Sequence, residues 1–171
     1  MAQSKWYSEQ PKNRNFLAPT GFKMELDLFA GVDFFCQRAN IPDINLPSIE
    51  VPSRFRSIPL AGAGGIQTGD LNLTFIIDED LKNYMTIHNW IKEFGLYEEH
   101  ASRELQTSGG RLEITNSNNK IAAYVNFENL FPVSLSDVRF DVADTDVEYF
   151  TADVTFKYTK FELRDKRNKK L

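Results

Sequence analysis

The chain has 171 residues, which is long enough for one domain with a core of its own. Its 24 acidic and 20 basic residues argue against a dedicated nucleic-acid binder held by phosphate contacts. The single cysteine excludes an internal disulfide framework and a cysteine metal cluster.

Residues 1–20 are predicted to form an extended arm, because two prolines and a polar composition interrupt any regular apolar spacing. The aromatic residues Trp6, Tyr7 and Phe16 are poorly suited to an arm that stays in water. They either pack back on their own subunit or dock on a neighbouring one, and both interpretations stay open.

The next segments alternate between apolar and polar residues and predict a β-hairpin. Residues 22–29 and 32–39 form its two strands, joined by the short turn Ala30-Gly31. Residues 41–69 then interrupt any strand ladder with four prolines and three glycines near position 64, although residues 49–56 could form a short strand. A long connection of this kind is usually functional, so it is the main candidate for a docking loop.

Residues 71–95 are predicted to run from a strand directly into a helix. Apolar residues occupy every second position from Leu71 to Ile77, as in a strand with one buried face. Asp78 can cap a following helix over about residues 79–94, which Gly95 would end. The predicted apolar stripe of this helix consists of Leu81, Tyr84, Met85, His88, Ile91 and Phe94.

The remaining chain is predicted to contain further strands. Residues 111–115 and 120–127 pair across a polar turn, and Phe131-Pro132 is a break. A short strand over 138–142 and a long last strand over 150–159 follow. We therefore predict a mainly β (α+β) domain over 21–163, an antiparallel β-sandwich or barrel of about seven or eight strands with one flanking α-helix. Residues 164–171, with five basic residues and one acidic residue, are predicted to be a basic tail.

No catalytic, metal or cofactor site is predicted. His88 and His100 have no metal-site spacing, and Cys36 lies in a predicted strand, where a small buried side chain is expected. Residues 62–65 lack the lysine of a phosphate-binding loop. No apolar run reaches membrane-spanning length and no secretory signal follows Met1, so we expect no membrane segment and assembly in a reducing cytoplasm.

Acidic residues cluster before the last strand, and the cluster includes Asp137, Asp141, Asp144 and Asp146. The fragment around Thr145 lacks the glycine and the terminal glutamate of a calcium-binding loop, which argues against a metal site. Two interpretations stay open: a solvated acidic turn, or an acidic surface that repels a polyanion and keeps nucleic acid mobile.

Several segments together resemble the tail tube proteins of contractile-tailed bacteriophages. Residues 35–42, Phe-Cys-Gln-Arg-Ala-Asn-Ile-Pro, resemble the entry into that family's long loop. Residues 70–90 resemble its strand and helix, and residues 127–132, 140–141 and 148–154 resemble its closing strands. The resemblance covers residues 21–163 and depends on the order and spacing of these segments.

The resemblance implies a non-enzymatic β-barrel subunit without cofactors that forms homo-hexameric rings by joining sheets edge to edge. Stacked rings would form a tube inside a contractile sheath, through which DNA passes without specific binding. The implied partners are the tail sheath, the baseplate hub and a tape-measure protein, and the implied location is the virion tail, after assembly in the host cytoplasm. Because the type VI secretion tube protein and baseplate tube initiators share the fold, a tube initiator or terminator stays open. A function of another class, that of a small ligand-binding β-barrel, also stays open.

Candidate residues follow from this interpretation. We expect rings to stack through the loop 41–69 and the two termini. The inter-ring candidates are Trp6, Tyr7, Phe16, Pro47, Phe55, Ile58, Gly62, Gly64 and Gly65. The candidates for the lumen of the tube are Asp137, Asp141, Asp144 and Asp146, whose charge would keep DNA from adhering.

Overall fold

The structure, a computed structural model, describes Leu17 and residues 19–29, 36–62, 65–95, 107–141 and 149–170. Within these ranges the chain forms strands and one α-helix. The strands are β1 (Phe22–Leu26), β2 (Cys36–Ala39), β3 (Ile44–Asn45), β4 (Ser48–Pro52), β5 (Ser57–Ala61), β6 (Gln67–Thr68), β7 (Leu71–Ile76), β8 (Ser108–Thr115), β9 (Ile121–Leu135), β10 (Thr151–Lys157) and β11 (Lys160–Asp165), and the helix is α1 (Lys82–Gly95). Among the described residues, no helix has both the length and the apolar character needed to cross a membrane.

Seven of the strands form one antiparallel sheet that β9 divides into two halves. The first half has the order β1-β8-β9-β11 and the second the order β9-β10-β7-β2. Strand β9 serves both halves, because its residues up to Leu130 pair with β8 and those from Phe131 pair with β10. The predicted fold, a mainly antiparallel β structure with one flanking helix, is confirmed.

Polar residues bond the chain together where the two halves of the sheet meet. Asn129 has a φ of 54°, a left-handed conformation that asparagine tolerates better than most residues. Its side-chain amide donates to the Thr159 hydroxyl (3.3 Å), and the Thr159 backbone N–H donates to the carbonyl of Glu128 (3.0 Å). These bonds join β9 to the connection between β10 and β11, close to the point where β9 passes from one half of the sheet to the other.

The predicted break at Phe131-Pro132 is wrong, because β9 continues to Leu135. Pro132 lies opposite Phe156, where the register between β9 and β10 shifts by a bulge after Thr155. A bulge interrupts the ladder locally, so a residue without an N–H is accepted inside the strand.

The core lies between the two sheet halves and beneath α1. Alternate residues of β7 and β10 are buried, as their sequence pattern predicts. The buried apolar residues are Met24, Leu26, Leu71, Leu73, Phe75, Ile87, Trp90, Leu112, Ile114, Val125, Phe127, Leu130, Ala152, Val154 and Phe156. Burial of this set provides the main favourable free energy of folding.

The helix begins later than predicted. Leu81 has a φ of 56°, and its N–H donates to the carbonyl of Asp78 (2.9 Å), so residues 78–81 form a turn before the helix starts at Lys82. Asp78 does not have the predicted position of a cap one residue before the helix, because the whole turn separates it from Lys82. The side chain that bonds the backbone there belongs to Asn83, whose Oδ1 accepts from the N–H groups of Asp78 (3.2 Å) and Tyr84 (2.7 Å).

The buried face of α1 differs from the predicted stripe for the same reason. Its fully buried residues are Asn83, Ile87 and Trp90. The predicted stripe members Tyr84, Ile91 and Phe94 do pack against the core. Leu81 and Met85 are exposed, contrary to the prediction. Because of the left-handed turn, Leu81 lies before the helix and not on it. Position 83 is buried but polar, so apolar spacing alone does not identify it as part of the buried face.

Two further strand predictions are wrong. The segments 22–29 and 32–39 do not form a hairpin, because β1 pairs with β8 and β2 pairs with β7. Residues 30–35 lie outside the described residues. Residues 138–141 are not in a strand, and residue 142 lies outside the described part of the chain. Alternation identifies a segment as a strand, but it does not select the pairing partner.

The predicted basic tail begins inside a strand. β11 continues to Asp165, and Arg164 forms an antiparallel bridge with Lys170, so the end of the chain folds back on the strand. Glu162 lies at the centre of this basic segment and accepts from Lys160 (2.6 Å), Lys170 (2.9 Å) and Arg164 (3.1 Å). Hydrogen bonds from these three cations lower the pKa of Glu162 from 4.5 to about 2.

This pKa predicts an acid-dependent contribution to stability. A carboxyl group with a pKa lower in the folded than in the unfolded state stabilises the fold above pH 4.5 and loses that contribution as the pH falls toward 2. We expect Glu162→Gln to be less stable than the parent at pH 7 and the difference to shrink between about pH 5 and pH 2. Urea denaturation at several pH values measures it, and a difference that is constant with pH would contradict the assignment.

Candidate assembly surfaces

A two-stranded hairpin stands clear of the main sheet. β4 and β5 pair only with each other among the described strands, and every residue of both is exposed. Their register places Ile49 opposite Leu60 and Val51 opposite Ile58, so these four side chains share one face. Each is 40–54% exposed. We call residues 48–61 the projecting hairpin; its apolar face has no partner in the described part of this subunit.

The tip of the projecting hairpin is a tight turn with an aromatic side chain. The Ser53 backbone N–H (3.1 Å) and hydroxyl (2.5 Å) both donate to the carbonyl of Arg56 and close the turn. Phe55 is 91% exposed, and the guanidinium of Arg54 lies 5.7 Å from its ring centre. The tip therefore presents a phenyl ring between two positive charges.

The base of the projecting hairpin is hydrogen-bonded to the main sheet. β3 and β6 pair through Ile44–Thr68 and Asn45–Gln67, and the Tyr158 hydroxyl donates to the carbonyl of Gly69 (2.7 Å). The Asn40 side chain bonds to the backbone at the start of β7. Its amide donates to the Asp70 carbonyl (3.0 Å), and its Oδ1 accepts from the Asn72 N–H (2.6 Å). These bonds fix where the hairpin leaves the domain, and nothing in the sequence pattern distinguishes Asn40 from other loop asparagines.

An apolar groove lies at the opposite end of β7. Its volume is about 340 Å³. It is lined by Ile77, Asp78, Glu79, Leu81, Val138, Phe140, Tyr149 and Phe150. Phe140 and Tyr149 are 73% and 79% exposed, and the rings of Phe140 and Phe150 lie 5.0 Å apart. We call this site the end groove.

The end groove has an acidic rim. Asp78 and Glu79 are among the residues that line the groove. Asp80 follows them in the turn and is paired with Lys82 (2.5 Å). On the other side, Asp137 is paired with Arg139 (2.8 Å), and this hydrogen bond lowers the pKa of Asp137. The site therefore combines apolar walls with acidic residues at its rim.

The sheet also ends in unpaired strand edges. Among the described strands, β1, β11 and β2 lie at the outer edges of the two sheet halves, and β11 has only the single bridge between Arg164 and Lys170 on its other side. Their other side offers backbone N–H and C=O groups for pairing with another chain.

The structure locates only part of the predicted site residues. Phe55 and Ile58 lie on the projecting hairpin, and Pro47 lies before it, half-buried. Gly62 and Gly65 both have positive φ values, 95° and 78°, which supports a local role for glycine after the hairpin. Trp6, Tyr7, Phe16, Gly64, Asp144 and Asp146 lie outside the described residues.

Asp137 and Asp141 lie on the exposed segment that follows β9, close to the end groove. The end groove itself was not predicted, because it is assembled from three separate segments. The aromatic residues Phe140, Tyr149 and Phe150, on both sides of the acidic stretch, were the available signal.

The described residues give little support for a metal site or a reactive cysteine. Within the described ranges, no group of three or more histidine, cysteine or acidic side chains is placed to hold a metal ion. Burial raises the pKa of the Cys36 thiol to about 11, so the thiol stays protonated at neutral pH and is a poor nucleophile.

Several solved structures share this fold. A chain of the anti-feeding prophage cap, described as a tube-terminating cap, superposes with a TM-score of 0.69 at 17% identity, covering 94% of this chain and 99% of that one. A chain of an extracellular contractile injection system sheath–tube complex (PVC) gives 0.64 at 15% identity, with 96% and 99% covered. An Hcp protein gives 0.53 at 8% identity, with 85% and 92% covered.

The identities are low, so these three similarities establish a shared fold. No curated protein sequence matches the chain significantly. The sequence profile of the phage tail tube protein family, in contrast, matches residues 9–164, nearly the whole chain. The chain therefore belongs to the phage tail tube protein family, a family of structural proteins rather than enzymes.

Proposed function

We propose that the protein is the subunit of a tail tube, built from stacked homo-hexameric rings inside a contractile sheath, through which the viral genome leaves the virion. The observation that carries this proposal is the projecting hairpin. An isolated two-stranded hairpin with an exposed aliphatic face is at best marginally stable in water. Contact with a neighbouring ring would bury that face and stabilise the hairpin.

Ring closure in this proposal uses the strand edges. Of the outer strands, β1 and β2 are only five and four residues long, which limits uncontrolled pairing of a free subunit, and the bridge from Lys170 covers part of β11. Pairing of an edge with the next subunit around a closed ring would satisfy the backbone groups on every subunit.

We also propose that the acidic residues Asp137, Asp141, Asp144 and Asp146 face the lumen of the tube. Carboxylates repel the phosphate backbone within about 10 Å at moderate salt, so DNA would pass without being bound. The pairing of Asp137 with Arg139 reduces its share of this effect.

The proposed partners are the sheath, the baseplate hub and a tape-measure protein, in a virion tail assembled in the host cytoplasm. The similar solved chains come from a sheath–tube complex and from a tube-terminating cap, which supports partners of this kind.

A second candidate function is a single-ring terminator or initiator of the tube. The TM-score of 0.69 with the cap chain is the observation that favours it. Copy number separates the candidates: a tube subunit occurs in many rings per particle and a terminator or initiator in one. Quantitative mass spectrometry of purified particles measures this number.

Removing the projecting hairpin is the direct test of the tube proposal. Asn45 and Gln67 lie opposite each other in the β3–β6 pair, so residues 46–66 can be replaced by Asn-Gly, which closes a two-residue turn. We expect this variant to fold but to form no tubes in negative-stain electron microscopy over a concentration series in which the parent forms six-fold rings and tubes. Deleting residues 62–65 alone should have the same effect.

Circular dichroism and a melting curve of the shortened chain control for folding. If the shortened chain formed tubes of normal length, the hairpin would not be needed for ring stacking. A parent that stays monomeric at all concentrations would favour the terminator or initiator.

A further inference from the structure

We propose that Phe55, at the tip of the projecting hairpin of one copy, inserts into the end groove of a copy in the next ring, with Arg54 and Arg56 against its acidic rim. This inference rests on the proposed stacking of rings and adds the residues that make the contact.

The tip has the properties of an inserted anchor. Phe55 leaves 91% of its surface in water, which is unfavourable for a side chain of this size. The bonds from Ser53 to Arg56 close the turn that carries Phe55, which favours a preformed tip over an open loop. Large aromatic residues with neighbouring arginines are typical of residues that dominate binding energy.

The end groove has the size and lining for this ring. Its volume of about 340 Å³ exceeds that of one phenyl side chain, and most of its lining is aliphatic or aromatic. The paired rings of Phe140 and Phe150 offer edges and faces for aromatic contact with a third ring.

The charges of the two surfaces are complementary. Within the described residues, no ion pair joins Arg54 or Arg56 to an acidic side chain of the same subunit. Asp78 and Glu79 at the groove lie next to the apolar walls. Insertion of the phenyl ring would bring opposite charges together at the rim, which sets orientation and suppresses wrong partners.

The positions of the two surfaces indicate a second copy in the next ring. The hairpin leaves the domain beside Gly69, just before β7, whereas the groove begins at Ile77, just after β7. The six residues of β7 separate them by about 20 Å. A contact between opposite ends of one subunit is head-to-tail, and such a contact repeats without limit when it does not close on itself. That is the geometry that a stack of rings needs.

Charge reversal with rescue tests the inference. One variant carries Arg54→Glu and Arg56→Glu, a second carries Asp78→Lys and Glu79→Lys, and a third carries all four changes. We expect the first two to raise the concentration at which tubes form by about tenfold or more, and the third to return most of the way to the parent. Lys92→Glu with Lys120→Glu, at two exposed positions outside the loop 41–69, the termini and the end groove, is the matched control and should leave assembly unchanged.

Cross-linking tests the contact without requiring tubes. In a Cys36→Ala background, a Phe55→Cys chain is mixed with a Phe140→Cys chain and oxidised; we expect a disulfide-linked dimer of the two chains. As a control, the Phe55→Cys chain is mixed with a Leu163→Cys chain, whose cysteine lies at an exposed position on β11, and this mixture should give little disulfide-linked dimer. Melting curves of all variants check folding.

The outcomes separate this inference from the proposed function. If the shortened hairpin prevents tubes while charge reversal has no effect and the cross-link fails, the hairpin stacks rings but Phe55 does not occupy the end groove. If the parent forms no tubes yet the cross-link forms specifically, the contact stands and the tube proposal fails. Absence of both the cross-link and the rescue overturns the inference.

Discussion

Trp90→Ala is expected to lower the free energy of unfolding by about 3–5 kcal/mol. Trp90 is 2% exposed, and its ring packs edge-on against Phe29 at 5.1 Å and at a tilt against Phe156 at 6.0 Å. Removing the indole would open a cavity between α1 and the sheet that the rigid strands cannot fill. Urea denaturation followed by circular dichroism measures the change.

Met85→Ala is the matched control for this helix. Met85 lies on the same helix and is 43% exposed, so its truncation should cost less than about 1 kcal/mol. Equal losses from the two substitutions would mean that α1 is not anchored through Trp90 and that its assigned buried face is wrong.

Asn83→Leu is expected to cost about 2–4 kcal/mol, although leucine has the same branching and the same number of heavy atoms. Asn83 is fully buried; its amide donates to the carbonyl of Ile76 (2.8 Å), and its Oδ1 accepts from the N–H groups of Asp78 and Tyr84. Leucine would leave these backbone groups buried without partners, and the desolvation cost of each would fall on the folded state. Chemical denaturation at neutral pH measures the loss.

Asn89→Leu, at an exposed position of the same helix, separates this effect from a change in helix propensity. It should be close to neutral. If the two substitutions have equal effects, the buried hydrogen bonds contribute little. The residues that Asn83 holds, 76–78, lead directly into the end groove, so Asn83→Leu should also weaken the proposed contact with Phe55.

Local patterns in the sequence were sufficient for the elements that are formed by neighbouring residues. Alternation identified the buried faces of β7 and β10, and the polar run between β8 and β9 identified their turn. Helical spacing located α1 to within three residues at its start. These features depend on backbone preferences and side-chain periodicity within about ten residues, which a single segment carries by itself.

The pairing of strands was decided only in the tertiary structure. β1 pairs with β8, far along the chain, instead of with the adjacent β2, because each strand pairs where its buried face joins the common core. The continuation of β9 through Pro132 likewise depends on its pairing with β10, because the bulge at Val133 of β9 exists only in that ladder.

The candidate assembly surfaces, too, were indicated by the sequence in part and decided by the tertiary structure in part. Prolines and glycines marked residues 41–69 as a docking loop from composition alone, and the order of segments was enough to suggest the family. The apolar face of the projecting hairpin exists only because a specific register places Ile49 beside Leu60. The end groove exists only because three segments distant in sequence meet at one end of the sheet. Sequence periodicity is local, whereas a binding surface is a property of contacts between distant residues, so the sequence by itself determined the elements and the fold decided where they form a site.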